Sequence, residues 1–250
     1  MDFIYEKIGA FGKYQKIQLT IVSILSALNA VTVFTNIFIN AKPELKCYDI
    51  SSQQKNQTDS INFESLKFVN SSQLCTAWQN FNNQIDQNNT NKFYECYFDK
   101  QYYESTIVSE LGLICDKAYL TSLTECVNIF GFVFSLIFGF LSDRFGRKRI
   151  LTISIISLAL VLCICTISQL EFFGLNKTLR YWIYFMSRFL IGVLGNACFV
   201  VAYVLLHELT SKKYSTTFSN INLVSFVLGE FLVLIIAYFA RDWKILLYFM

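Results

Sequence analysis

Three ionisable side chains, Glu125, Arg188 and Glu230, each stand alone within a long apolar run of the sequence. A lone charge there costs about 2.5–3.5 kcal/mol to insert into lipid, so each needs a partner, a wet cavity or a path to an interface. Arg188 lies toward one edge of its run, and either snorkels to that interface or pairs with Glu125 or Glu230. Glu230 is near the middle of its run and faces a cavity or a packed helix; either carboxylate can attract an organic cation or carry a proton. The single histidine, His207, closes a run beside Glu208, where a structural role at an interface suits it better than proton transfer.

A second cluster is Gly139-Phe-Leu-Ser-Asp143-Arg144-Phe-Gly146-Arg147-Lys148-Arg149. Gly139 suits close helix approach, Gly146 suits a tight turn, and the basic residues suit an anionic inner leaflet. Asp143 is placed at a helix end for an ion pair or a helix-terminus contact. A plain basic loop explains the cations but not the two glycines and the aspartate at this spacing.

The polar segment 41–117 carries Cys47, Cys75, Cys96 and Cys115, enough for two disulfides in any of three pairings in an oxidising compartment. It also carries the glycosylation sequons at Asn56, Asn70 and Asn88. No Cys-x-x-Cys spacing is present, so neither a zinc site nor any other metal or cofactor is expected. The sequence has no phosphate-binding glycine loop, His-Glu-x-x-His or Gly-x-Ser-x-Gly, and nothing in it points to an enzyme.

These residues must be positioned by membrane-spanning helices. Hydrophobic residues make up 54% of the 250 and charged ones 16%, more apolar surface than a soluble core of this size can hide. The net charge of +3 is too slight to suggest nucleic acid. Spans are expected at 17–40, 118–141, 150–170, 181–206 and 218–240, with the start of a sixth at 245–250, cut off at Met250. Lys7, Lys13, Lys16, Arg144, Arg147, Lys148, Arg149, Lys212 and Lys213 fall in segments 1–16, 142–149 and 207–217. Lys177, Arg180, Arg241 and Lys244 fall in or border the short opposite segments 171–180 and 241–244. Nine against four places the N-terminus inside and 41–117 outside. Segment 1–16 either lies on the membrane surface or forms a solvated tail.

The run from Gly139 resembles the signature loop between helices 2 and 3 of the major facilitator superfamily. Phe11-Gly-Lys-Tyr-Gln15, the cysteine-bearing outer segment, Ser105-Thr-Ile-Val-Ser-Glu-Leu-Gly-Leu-Ile-Cys115-Asp116, Ala202-Tyr-Val-Leu-Leu-His-Glu208, Lys213-Tyr214 and Ala237-Tyr-Phe-Ala-Arg-Asp-Trp243 extend the likeness. Together they resemble the organic cation/anion transporter family, and the sugar transporters match less well because their first outer loop is shorter. The resemblance implies an all-α membrane protein: the N-terminal six-helix repeat, its sixth helix truncated, with a large extracellular loop between helices 1 and 2. It implies alternating-access transport of small organic cations, anions or zwitterions such as carnitine, in the plasma membrane, with a C-terminal half or a second copy as partner. Asp143 and Arg147 would act in a cytoplasmic latch with Gly139, Arg144 and Gly146. Phe34, Tyr203, Asn222, Phe226 and Glu230 would line the substrate cavity. Ser215 stands where the family pattern has arginine, which removes a charge from that latch region. The alternative is a non-transporting membrane glycoprotein or a regulatory half-transporter.

Overall fold

Apolar runs uninterrupted by proline become long helices here, because a continuous helix satisfies every backbone group without water. The computed structural model describes residues 12–49, 67–69, 73–86, 94–169, 174, 176–210 and 212–250. The helices are α1 (Lys13–Ile39), α2 (Leu74–Asp86), α3 (Ile107–Leu111), α4 (Ala118–Phe145), α5 (Arg147–Ser168), α6 (Lys177–Leu209), α7 (Lys212–Ala240) and α8 (Trp243–Tyr248). Five of them, α1, α4, α5, α6 and α7, are long and apolar enough to cross a membrane. Four of them start on Lys or Arg beyond the apolar run, at Lys13, Arg147, Lys177 and Lys212. Long basic side chains favour helix and can keep the charge at an interface while their stems cover apolar surface.

The chain divides into two compact units, Met1–Asn40 with Tyr119–Met250, and Ala41–Ala118. In the helical unit small polar residues share the interior while many large aliphatic ones stand on the surface. Ser26, Asn29, Thr32, Thr35 and Asn36 of α1 are buried, while Ile17, Ile21, Ile24 and Leu28 of the same helix are exposed. Helix α5 likewise exposes Ile153, Ile156, Leu160, Ile164 and Ile167. Lipid is the solvent that such a surface requires, and small or polar residues make the helix contacts.

Helix α1 packs most extensively on α7, and α5 on α6. Two glycines set the closest approaches: a Cβ on Gly192 would lie 2.3 Å from the Asn128 carbonyl oxygen, and one on Gly229 2.4 Å from the Ala27 carbonyl oxygen. Gly139 does not have this role within the described residues, since a Cβ there meets nothing within 4 Å. Its helix face is open, and the α4–α6 approach is made instead through Gly131 and Gly192.

The second unit contains a small antiparallel sheet of order β2-β1-β3, from β1 (Leu45–Asp49), β2 (Lys67–Phe68) and β3 (Tyr94–Phe98). Cys47 sits opposite Cys96 in the β1–β3 register, and the two form a disulfide. A second disulfide joins Cys75 to Cys115, so of the three pairings the fold adopts this one. Ala77, Leu45, Val69, Trp78 and Phe81 pack around the first bridge. Lys46 pairs with Asp99, and the Lys46 ammonium holds that carboxyl below its ordinary range. Asn56, Asn70 and Asn88 lie outside the described residues.

Peptide mapping without reduction is expected to recover Cys47–Cys96 and Cys75–Cys115 and no mixed pair. By loop-closure entropy, removing the 49-residue bridge is expected to destabilise this unit by about 4 kcal/mol. Recovery of a Cys47–Cys75 peptide would contradict the fold of this unit.

Candidate functional site

At one end of the helical unit, Gly146 turns the chain from α4 into α5 at φ +94°, a conformation that only glycine adopts freely. Arg147 follows, and its Nη2 lies 3.1 Å from Asp143 Oδ1 and 2.8 Å from Glu208 Oε1. One guanidinium therefore ties the end of α4, the start of α5 and the end of α6. Arg144 makes no ion pair among the described residues and leans over the Phe145 ring, 5.9 Å from its centroid. Gln15 joins α1 to the same end by donating to the Leu209 carbonyl at 3.3 Å. Val22, Ala202, Leu206 and Phe218 form an apolar cluster of α1, α6 and α7.

Next comes a row of aromatic rings contributed by α1, α6 and α7. Phe34 meets Phe226 edge-on at 6.1 Å, Phe226 meets Phe199 at 5.6 Å, and Phe199 stacks on Tyr203 at 6.3 Å. All four are half-buried. Glu230 is half-buried one turn beyond Phe226 and forms no ion pair among the described residues. Phe199 escaped the sequence analysis, although its spacing of four from Tyr203 and eight from His207 marks one helix face. Asn222, the other cavity candidate, is fully buried, and Ser26 donates to its backbone carbonyl across the α1–α7 contact at 3.4 Å. Its side-chain nitrogen and oxygen find no partner among the described residues.

The row ends on His207, whose ring lies 4.7 Å from that of Tyr203. Ser215 and Ser219 of α7 hold its Nδ1 and Nε2 at 2.7 and 2.8 Å. Ser219 also donates to the Ser215 carbonyl, which leaves its oxygen free to accept from Nε2–H. The residue whose charge is missing relative to the family pattern, Ser215, is thus an imidazole partner.

Arg188 occupies the interior, with none of its surface exposed. Its guanidinium carbon lies 4.9 Å from the Tyr184 ring centroid, and Nη2 reaches Met250 Sδ at 3.6 Å. Snorkelling does not occur, and neither Glu125 nor Glu230 pairs with it among the described residues, where Nε and Nη1 have no partner. Glu125 occupies an exposed position on α4, whereas the Tyr184 hydroxyl is buried on α6. That hydroxyl lies 3.2 and 3.1 Å from the side-chain oxygens of Asn36 and Asn40, which binds α6 to the end of α1. Nearby, Arg180 donates to the Gln169 carbonyl at 2.9 Å.

A buried cation held by a ring rather than by a carboxylate raises the energy of the fold that contains it. Arg188→Met is therefore expected to stabilise the chain in detergent by about 1 kcal/mol or more. Arg188→Lys, which loses the flat stacking group, is expected to destabilise it by about 1 kcal/mol. Thermal unfolding midpoints check this, and a methionine variant less stable than the lysine variant would reveal an unrecognised counter-charge.

The family profile of the Major Facilitator Superfamily matches residues 105–250. Over 249 residues the chain is 24% identical to an organic cation transporter-like protein of Drosophila melanogaster, covering 95% of this chain and 41% of the relative. It is 28% identical to solute carrier family 22 member 4 of Mus musculus, covering 98% and 46% respectively. It is 27% identical to organic cation/carnitine transporter 2 of Homo sapiens, again covering 98% and 46%. The chain spans less than half the length of these curated relatives. The helical unit, its signature loop and the family profile agree: the chain belongs to the Major Facilitator Superfamily.

Proposed function

We propose that this chain supplies one wall of a transport path for small organic ions, cations, anions or zwitterions, and moves against a second repeat in alternating access. The observation that carries this is the half-buried row Phe34, Phe226, Phe199 and Tyr203 with Glu230 one turn away. Ring faces attract alkylammonium groups by about 0.5–2 kcal/mol each, without the directional bonds that would restrict substrate shape. A carboxylate that forms no ion pair among the described residues adds long-range attraction for cations and is a group that a coupling proton can occupy.

The basic surplus of segments 1–16, 142–149 and 207–217 orients the chain with those segments in the cytoplasm and with 41–117 outside, at the plasma membrane, where its sequons can carry glycans. Arg147, Asp143 and Glu208 then form the cytoplasmic latch. Ion pairs at a wet surface contribute only about 0–1 kcal/mol, which suits a contact that is made and broken in each cycle. Names of the relatives supply the substrate class: organic cations and carnitine are what those proteins are named for.

Uptake of radiolabelled tetraethylammonium and carnitine into cells expressing the chain with a C-terminal repeat tests this. Phe226→Ala is expected to lower uptake of both solutes tenfold or more, and Glu230→Gln to lower that of tetraethylammonium more than that of carnitine. Uptake absent with the partner repeat present would favour a non-transporting membrane glycoprotein or a regulator of a longer relative.

A further inference from the structure

The aromatic row does not stop at Tyr203. The half-buried His207 ring follows it at 4.7 Å, a closer approach than any other pair in the row makes. It differs from the other rings in one respect: it can take up a proton, and histidine is the side-chain type that changes charge between pH 5 and 8.

The surroundings suit either form of the ring. Ser219 donates to the Ser215 carbonyl at 2.9 Å, so its oxygen accepts from Nε2–H at 2.8 Å, and the neutral ring is the Nε2–H tautomer. Nδ1 then carries the lone pair and accepts from the Ser215 hydroxyl at 2.7 Å. When Nδ1 is protonated, that hydroxyl turns and accepts instead, so neither ring nitrogen loses its partner. A carbonyl or an ammonium in place of Ser215 would serve one form alone. A glutamine amide could join α6 to α7 through the same two hydroxyls, but its charge would not change.

A charge on His207 has a direct consequence for the row. At 4.7 Å from the Tyr203 centroid it lies inside the distance, about 6 Å, at which a ring face attracts a cation. The imidazolium then takes the Tyr203 ring for itself and repels a second cation on the rings beyond. The other charges at this end are Glu208 on α6, tied to Arg147 of α5 at 2.8 Å and through it to Asp143 of α4, with Lys13 and Lys16 near the start of α1. Lys212 and Lys213 open α7, and the phenol of Tyr214 adjoins Ser215 in the chain. We propose that His207 sets the charge selectivity of this end of the row: while the ring is neutral an organic cation can rest on Tyr203, and a proton taken up at Nδ1 excludes it. Proton and cation compete, and each weakens the other by the same factor. This rests on the row being a substrate surface, as proposed above.

The full chain in lipid nanodiscs, labelled with 15N-histidine, gives a single imidazole signal set, because the sequence has one histidine. At pH 8.0 the Nε2–H tautomer is expected, and at pH 5.5 saturating tetraethylammonium is expected to lower the imidazolium fraction. Tetraethylammonium is expected to bind about tenfold more weakly at pH 5.5 than at pH 8.0. His207→Gln is expected to bind it within about twofold at the two values, and Glu230→Gln to keep most of the difference. An Nδ1–H tautomer at pH 8.0, an imidazolium fraction that tetraethylammonium leaves unchanged, or a pH difference that survives in His207→Gln would overturn the role of His207 and leave the transport wall standing. No binding to the wild type at pH 8.0 would overturn both. The tautomer and the imidazolium fraction are read on the wild type, so they decide the matter if His207→Gln does not fold.

Discussion

Polar groups inside lipid have no water to turn to, and the helical unit is organised around that constraint. The hydroxyls and amides of α1, from Ser26 to Asn40, are buried against α6 and α7 rather than distributed over the surface. Threonine and serine hydroxyls answer part of the demand by bonding the preceding turn, as Thr35 does to the Val31 carbonyl. Close backbone approach answers another part: Gly195 would place a Cβ 2.8 Å from Asn29 Oδ1, and Gly229 lies against Ala27. With the polar stripe turned inward, the aliphatic side chains of α5 and α7 form exposed apolar surface of the kind that a bilayer covers. The half-buried aromatic row occupies the margin between these two surfaces.

The two ends of the unit are secured differently. Where α4 meets α5, the contacts are ionic and partly wet, centred on Arg147, whose partners Asp143 and Glu208 are 64% and 51% exposed. At the opposite end they are buried hydrogen bonds, Tyr184 with Asn36 and Asn40, and Arg180 with Gln169. Water and salt can weaken the first kind, but the second is held in a medium with no competing donors. In the proposed cycle, the first end would open and close while the second keeps α1 and α6 together. Arg188, between them, is buried with no carboxylate partner, and neither Glu125 nor Glu230 forms an ion pair, among the described residues.

Much of this architecture is legible in the sequence because length and apolarity alone define a span. The helices nevertheless overrun the apolar runs, starting at Lys13, Arg147, Lys177 and Lys212, because a basic residue continues a helix without breaking it. Disulfide pairing was not legible: Cys47 finds Cys96 only through strand register, and register emerges from tertiary structure. Phe199 was legible, being four residues before Tyr203, whereas the choice between Gly139 and Gly192 as a helix contact depends on rotation about the helix axis. The same holds for Arg188, whose stacking on Tyr184 follows from an i,i+4 relation that competes with two carboxylates on other helices. Ser215 marks the limit of pattern matching, because the residue that departs from the family pattern is one that holds the imidazole of His207.

Accessibility in a bilayer tests this packing most directly. Spin labels at Leu160 on α5, Leu228 on α7 and Ala197 on α6, in a chain lacking its four free cysteines, can be read for collision with lipid-dissolved oxygen and with a water-soluble nickel chelate. Leu160 and Leu228 are predicted to collide with oxygen and not with nickel, and Ala197, fully buried, with neither. Nickel access at Leu160 or Leu228, or oxygen access at Ala197 equal to theirs, would contradict the account.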